Sequence, residues 1–340
     1  MLGRIVVDVN GLELSAEDRE ILNHPLVGGV ILFTRNFEEP EQLSRLICQI
    51  RNVKSPALVI AVDQEGGSVQ RFRKYFSRLP SLSAIGSKYE TNPEWARTLA
   101  RDHAWVMANE LLSVGVDFSF APVVDLKDSK SSVIGDRAFH RRSEVVSELA
   151  SIYVETLKGC GMSAVAKHFP GHGLVEEDSH ISLPTDLRSL RHIMDNDVLP
   201  YRKCIDEGLE GIMMAHVLYP EADDKAAGYS EFWIREIIRK NIGFEGVVFS
   251  DDLNMGGAAI SGSYAERAVM ACSAGCDVLL VCNNRNAVEV ILEDRVWELE
   301  ELSQTSKLEK MRVISRHRDL GSAAYKSRLL RAKNNLEAID

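Results

Sequence analysis

Short, continuous runs of apolar residues recur along the whole chain. They occupy residues 5–8, 29–33, 57–63, 118–125, 163–168, 211–216, 246–251 and 277–282. The apolar positions in these runs are consecutive and do not alternate with polar ones, which is typical of parallel strands covered on both faces. The pattern therefore predicts about eight parallel strands.

Stretches with helical spacing of apolar positions lie between these runs. The predicted helices cover residues 15–23, 40–53, 93–113, 143–158, 187–207, 230–241 and 264–274. Alternating strands and helices predict βαβ units, and eight units in one chain predict a single (β/α)8 barrel of the TIM type. Residues 286–340 have a helical pattern throughout, so we expect them to form C-terminal helices packed on the barrel. No linker rich in Pro, Gly or Ser divides residues 1–340, which predicts one catalytic domain.

Polar residues stand where the apolar runs stop. In a (β/α)8 enzyme the site forms at the C-terminal ends of the strands. The residues at these ends include Asp8, Arg35, Asp63, Asp125, Lys167, His168, His216, Asp251 and Asn283. So many ionisable and amide groups at one rim predict an enzyme whose ligand carries many hydroxyl groups.

Two of the connections after strands are long and polar. In the segment 63–73, two adjacent glycines permit tight turns that could direct Asp63 and Arg71 at one ligand. The segment 167–180 contains Pro and Gly residues that exclude a helix, and it carries several acid/base side chains. This composition predicts a mobile lid over the substrate.

Composition and charge narrow the range of partners. The chain has 340 residues, of which 45% are hydrophobic and 26% charged, as in ordinary globular proteins. The formal net charge of -10 disfavours binding to nucleic acid or to an anionic membrane surface. Six cysteines without a CxxC pair indicate a reducing compartment. The beginning of the chain does not resemble a signal peptide, and no apolar run is long enough to span a membrane, so we expect a cytoplasmic protein.

The residue types alone leave several chemistries open. Lys167 at a strand end could form a Schiff base, as in barrel aldolases. His168, His172 and His180 with Asp178 could ligate a metal, although their spacing is not that of HExxH. Hydrogen bonding of Lys167 and His168 to a sugar suits a glycosidase, which we place slightly before an aldolase and before a metallohydrolase. A barrel that senses an amino sugar without turnover is a non-catalytic alternative.

Four motifs decide between these alternatives. They are VDQEGG at 62–67, KHFPGHG at 167–173, DSH at 178–180 and FSDDL at 249–253. Together they resemble glycoside hydrolase family 3, in particular its single-domain bacterial branch of β-N-acetylglucosaminidases that act in peptidoglycan recycling. The resemblance extends from about residue 3 to residue 290.

The resemblance implies a role for each matching residue. Asp251 would be the nucleophile of a retaining hydrolase, His180 the proton donor and acceptor, and Asp178 the group that orients His180. The ligands of the terminal N-acetylglucosamine would be Asp63, Arg71, Arg137, Lys167 and His168. The resemblance implies neither a metal nor another cofactor; the expected partner is a small muropeptide or amino-sugar substrate, and we expect a monomer.

Three points stay open from the residues themselves. The adjacent Asp252 could replace Asp251 as the reactive group, because strand periodicity does not choose between neighbours in a strand buried on both faces. Arg137 lies in a polar segment, where a solvated side chain is the simpler interpretation. His216 could line the pocket or only form a hydrogen bond within the barrel.

Overall fold

The computed structural model describes residues 1–128, 131, 133–175, 179, 183–294, 304–305, 307–313 and 322–339. Its centre is a sheet of eight strands whose observed pairings are all parallel. The strands are β1 (Ile5–Val7), β2 (Val27–Leu32), β3 (Val59–Val62), β4 (Phe118–Ser119), β5 (Val165–Phe169), β6 (Gly211–Met214), β7 (Val247–Asp252) and β8 (Val278–Val281). Each of them overlaps a predicted run, although the ends differ by up to several residues.

The sheet closes into a barrel. The hydrogen-bonded order is β4, β3, β2, β1, β8, β7, β6 and β5. Parallel bridges between Phe118 and Ser163 and between Val123 and Lys167 join the two ends of this order. The prediction of a (β/α)8 barrel is therefore confirmed.

Helices surround the strands, mostly where the pattern places them. The described helices are Ala16–Asn23, Pro40–Arg51, Leu82–Lys88, Pro93–Val114, Ser143–Gly159, Leu190–Asn196, Leu199–Asp206, Tyr264–Ala274, Arg285–Glu293 and Ala323–Glu337, with a helix of π-type hydrogen bonding at Phe232–Asn241. The single helix predicted at 187–207 is divided in two. Pro200 lies in the first turn of the second helix, where its missing N–H costs no hydrogen bond, whereas within one long helix it would remove one.

The C-terminal region packs on the outside of the barrel. The helix Ala323–Glu337 lies against Pro93–Val114, where Asn335 Nδ2 donates to Asp102 Oδ2 at 2.7 Å. Contrary to the expectation of helices throughout, residues Gln304–Thr305 form a short strand that pairs antiparallel with Leu2–Gly3. No helix in the described ranges has the length and apolar character needed to cross a membrane.

Aromatic rings fill the inside of the barrel. Phe120 lies with its ring centroid 5.2 Å from that of Phe118 and 5.4 Å from that of Phe249, and both ring pairs are nearly perpendicular. Such edge-to-face pairs are favourable, and all three rings are fully buried. Because the barrel interior is packed in this way, a ligand has room only at the C-terminal ends of the strands.

Candidate active site

A cavity of about 230 Å³ opens at the C-terminal ends of the strands. Its wall includes six of the eight residues that the sequence analysis singled out, namely Asp63, Arg71, Arg137, Lys167, His168 and Asp251. These six come from the ends of four different strands or from the loops after them. The barrel therefore brings together residues that are far apart in the chain.

Asp251 is the last residue but one of β7, and its side chain lines this cavity. Its Oδ1 accepts a hydrogen bond from the Asp252 N–H at 2.8 Å. Burial alone would raise the pKa of Asp251, but His168, His216 and the Asp252 N–H together hold it below its usual value. Asp251 is therefore a carboxylate at neutral pH.

Asp252 has a different environment, although its side chain also reaches the cavity wall. Its Oδ1 accepts backbone hydrogen bonds from Asn254 and Cys282, each at 3.0 Å. Burial raises the pKa of Asp252 to about 7. An oxygen held by two backbone N–H groups on a partly protonated carboxyl is less suited to act as a nucleophile, so the geometry favours Asp251.

Lys167 and Arg137 are held on one buried carboxylate, Glu65. The Lys167 ammonium lies 2.8 Å from Asp63 Oδ1 and 2.6 Å from Glu65 Oε1. Arg137 binds Glu65 through two hydrogen bonds, Nε to Oε2 at 2.8 Å and Nη2 to Oε1 at 2.9 Å. Burial would raise the pKa of Glu65, but Arg137 and Lys167 hold it well below the usual range. The four side chains form an array of two anions and two cations.

This array answers two of the open questions. Burial would lower the pKa of Lys167, but Asp63 and Glu65 raise it, so the amine stays protonated and is unsuited to Schiff-base chemistry. Arg137 has only 13% of its side chain exposed, so the interpretation of a solvated residue is wrong. The bidentate partner of Arg137, Glu65, is not among the predicted site residues. The one indication of its importance in the sequence is its position two residues after Asp63 in the motif VDQEGG.

The glycines of the segment after β3 shape its turn as expected. Gly66 and Gly67 have φ angles of 95° and 54°, in the region that favours glycine. They connect the short strands Gln64–Gly66 and Val69–Gln70, which pair antiparallel. The chain thereby returns toward the pocket, and Arg71 Nη2 comes within 3.6 Å of Asp63 Oδ2.

His168 is oriented by Asp125, a residue whose importance the sequence did not reveal beyond its position at the end of an apolar run. Asp125 Oδ2 lies 2.8 Å from His168 Nδ1, and Asp125 Oδ1 accepts from the His172 N–H at 2.7 Å. The other ring nitrogen of His168 is thereby left for the cavity. Burial lowers the pKa of His172 to about 4, so this imidazole is neutral, and its Nε2 lies 2.8 Å from Ser179 Oγ.

His216 is a structural residue of the barrel and does not belong to the cavity wall. Its ring is fully buried and stacks on Tyr229, with 5.8 Å between ring centroids and 30° between planes. Its Nε2 lies 3.1 Å from the carbonyl oxygen of Asp252. Since that carbonyl accepts, His216 donates from Nε2 and holds the backbone directly after Asp251.

The proposed acid/base pair lies outside the described residues. His180 and Asp178 belong to this part of the chain, as do Glu176 and Glu177, whereas residues 167–175 of the predicted lid are described. Ser179 is described; it lines the cavity, and its carbonyl accepts from the Gly257 N–H at 2.8 Å. Within the described ranges, no group of three or more His, Cys, Asp or Glu side chains is arranged to hold a metal ion.

The fold and the site are compatible with a glycoside hydrolase. A closed parallel barrel whose cavity holds a buried carboxylate beside an array of charged hydrogen-bonding groups can bind and cleave a polyhydroxylated substrate. Residues 3–317 match the glycosyl hydrolase family 3 N terminal domain. The chain belongs to glycosyl hydrolase family 3.

Individual relatives and solved structures agree with this assignment. The chain is 49% identical over 311 residues to a β-hexosaminidase of Nitrosospira multiformis, which covers 92% of this chain and 89% of the relative. It is 45% identical over 338 residues to a β-hexosaminidase of Nitrosomonas eutropha, covering 99% and 97% of the two chains. The crystal structure of NagZ from Neisseria gonorrhoeae in complex with N-trifluoroacetyl-D-glucosamine superposes with a TM-score of 0.91, at 38% identity and 98% coverage of both chains.

Proposed function

We propose that this hexosaminidase removes a terminal, non-reducing N-acetylglucosamine from peptidoglycan fragments with retention of configuration. The substrate would be N-acetylglucosaminyl-1,6-anhydro-N-acetylmuramic acid, with or without its peptide. The observation that carries the proposal is the ionised Asp251 in a cavity whose wall also holds the Asp63–Lys167 pair and His168. The names of the relatives support the activity, and the motifs shared with the peptidoglycan-recycling branch support the substrate.

The charged array is suited to the hydroxyl groups of one sugar. Asp63 retains acceptor capacity, and the ammonium of Lys167 and the guanidinium of Arg71 retain donor capacity beside it. His168 adds a ring nitrogen whose direction Asp125 fixes. Each hydrogen bond between a charged group and a hydroxyl contributes about 1.5 to 3 kcal/mol, so several of them together can select a polyhydroxylated ring.

The reaction would proceed in two displacements. Asp251 attacks C1 of the sugar and forms a covalent glycosyl ester while His180 protonates the departing oxygen. His180 then removes a proton from water, the water attacks C1, and the carboxylate of Asp251 leaves. An imidazole with an ordinary pKa of about 6.5 can perform both proton transfers near neutral pH, and Asp178 would stabilise its charged form.

A fluorinated glycosyl substrate tests the nucleophile. A 5-fluoro N-acetylglucosaminyl analogue with a good leaving group slows the second displacement, so the ester accumulates. After digestion, mass spectrometry should find the label on the peptide that contains Asp251, and the Asp251→Asn variant should take up no label. A label on Asp252, or an oxazoline product in place of any label, would contradict the proposal.

A leaving-group comparison tests His180. His180→Gly should lose most of its activity on a disaccharide, whose departing alcohol needs a proton, and keep far more on a dinitrophenyl glycoside. Added azide should then accelerate turnover and give a β-glycosyl azide. Asp178→Asn should show a weaker form of the same pattern, because it changes only the partner of the imidazole. Equal losses on both substrates without azide rescue would remove His180 from the role.

A further inference from the structure

His172 lines the catalytic cavity but has no part in the reaction proposed above. It belongs to the loop that follows β5, and only 2% of the residue is exposed. Its Nε2 lies 2.8 Å from the Oγ of Ser179, which also lines the cavity and is equally buried. This contact is the one side-chain hydrogen bond that the imidazole makes with described residues. It joins two residues that are seven positions apart in the loop.

The backbone of His172 is bound to the wall of the barrel. Asp125 Oδ1 accepts a hydrogen bond from the His172 N–H at 2.7 Å. Asp125 is itself buried, and its Oδ2 lies 2.8 Å from the ring Nδ1 of His168 and accepts from the His168 N–H at 3.2 Å. His168 is part of β5, so the imidazole of His172 extends from a point that two neighbouring strands hold in place.

The imidazole of His172 is unsuited to donate a proton to a leaving group. Burial lowers the pKa of His172 to about 4, so the ring is uncharged near neutral pH. A neutral imidazole has one N–H and one acceptor nitrogen, and a hydroxyl can donate or accept, so either tautomer can bond to Ser179. The ring nitrogen nearest to Ser179 is thereby occupied. These properties distinguish His172 from His180 and are those of a residue that holds the loop.

A second hydrogen bond fixes Ser179 from the opposite side. The Ser179 carbonyl accepts from the Gly257 N–H at 2.8 Å. Gly257 belongs to the 3-10 helix Gly256–Ser261, which comes shortly after β7 and its carboxylate Asp251. Ser179 is therefore bound through its side chain to the loop after β5 and through its carbonyl to the segment after β7.

The chain connects these contacts to the proposed acid/base pair. Ser179 stands between Asp178 and His180 in the sequence, and consecutive Cα atoms are about 3.8 Å apart. Two hydrogen bonds at Ser179 therefore restrict the positions that its two neighbours can take. We propose that His172 and Ser179 are positioning residues, whose mutual hydrogen bond places His180 for proton transfer to the leaving group. This inference rests on the proposed function, because the two residues act through the proton donor assigned there.

Two aryl β-N-acetylglucosaminides test the proposal. One releases dinitrophenol, which departs as an anion without a proton, and the other releases methoxyphenol, whose departure needs one. The readout is the ratio of kcat/KM for the dinitrophenyl substrate to kcat/KM for the methoxyphenyl substrate. Weaker binding of the sugar, or a smaller fraction of folded protein, lowers both values alike. The ratio therefore reports proton donation and not a general structural defect.

Ser179→Ala removes a single buried hydroxyl. We expect kcat/KM to fall about fivefold on the methoxyphenyl substrate and to stay nearly constant on the dinitrophenyl substrate, so the ratio should rise about fivefold. Ser179→Thr keeps the hydroxyl and should keep the ratio close to that of the unaltered protein. His172→Leu should raise the ratio by a factor similar to that of Ser179→Ala. The double variant should show no further rise, because both changes remove the same hydrogen bond.

Ser147→Ala is the matched control. Ser147 is also buried, and its Oγ donates to one backbone carbonyl, that of Ser143, at 2.6 Å. It lies in the helix Ser143–Gly159 and does not line the cavity, so its replacement should leave the ratio unchanged.

The same assay on His180→Gly separates this inference from the proposed function. If His180→Gly raises the ratio and Ser179→Ala does not, this inference is overturned and the proposed function stands. Equal losses on both substrates in Ser179→Ala, a ratio in Ser179→Thr as high as in Ser179→Ala, or a further rise in the double variant would also overturn it. An unchanged ratio in His180→Gly would remove the proton donor of the proposed function, and this inference with it.

Discussion

Replacing Glu65 by glutamine should affect both the stability of the fold and the binding of the sugar. Glu65 is 2% exposed and receives three charge-assisted hydrogen bonds, two from Arg137 and one from Lys167. Without the negative charge of Glu65, Asp63 is the one remaining anion of the array beside two buried cations. Breaking a buried ion pair by removal of one partner costs about 3 to 5 kcal/mol. Because an amide oxygen still accepts a hydrogen bond, we expect Glu65→Gln to lower the free energy of unfolding by about 3 kcal/mol.

Urea unfolding and steady-state kinetics measure the two effects. Displacement of Arg137 and Lys167 should lower kcat/KM on an aryl N-acetylglucosaminide by at least about tenfold, chiefly through a higher KM. Glu90→Gln is the control, because its carboxylate also pairs with basic groups but is 51% exposed. That variant should lose less than about 1 kcal/mol.

The effect of Glu65 should depend on pH in a defined direction. The pKa of this carboxyl in the folded protein lies well below its ordinary value of 4.5. A lowered pKa gives a stability contribution that is complete above the unfolded-state pKa and is lost as the pH falls below it. The difference between the unaltered protein and Glu65→Gln should therefore be constant from pH 7 to about pH 5 and become smaller below about pH 4.5. Unchanged stability together with unchanged kcat/KM at pH 7 would refute the view that Glu65 holds the site together.

Three further predictions concern separate parts of the molecule. Asp125→Asn should lower kcat/KM on the same glycoside at least about tenfold, because the amide no longer fixes the His168 ring that faces the cavity. Activity equal to that of the unaltered protein would contradict this prediction. Burial lowers the pKa of His103 from 6.5 to about 4, so the free energy of unfolding should fall by about 3 kcal/mol as the pH is lowered over this range. The His103→Gln variant should show a weaker dependence of unfolding on pH. An equally steep dependence in the variant would mean that other groups cause the acid sensitivity. Gly86→Ala should lower Tm and kcat/KM together, because the added Cβ would lie 1.7 Å from a backbone oxygen in the loop that follows β4. Gly159→Ala is the control, because its Cβ would meet nothing within 4 Å, and its Tm should not fall. Equal Tm values in the two variants would contradict this prediction.

The architecture and the location of the cavity follow from local patterns along the chain. Continuous apolar runs reveal strands buried on both faces, because burial acts on every residue of such a strand. The polar residues at the ends of the runs reveal the rim, because a strand must leave the core there. Asp63, Lys167 and Asp251 could be assigned to one site from these local patterns together with the motifs of the family.

The pairs of charged side chains, in contrast, depend on how the strands come together in the barrel. Glu65 pairs with Arg137 across 72 residues, and Asp125 pairs with His168 across 43, because closure of the barrel brings β3, β4 and β5 together. Periodicity reports how deeply a residue is buried and does not report its partner, so the polar segment around Arg137 gives no sign of the bidentate contact with Glu65. The different environments of Asp251 and Asp252 are likewise tertiary, since the backbone N–H groups of Asn254 and Cys282 hold the second carboxyl. The positions of the charged side chains in the cavity depend on contacts between residues of different strands and loops. Local sequence patterns do not reveal these contacts.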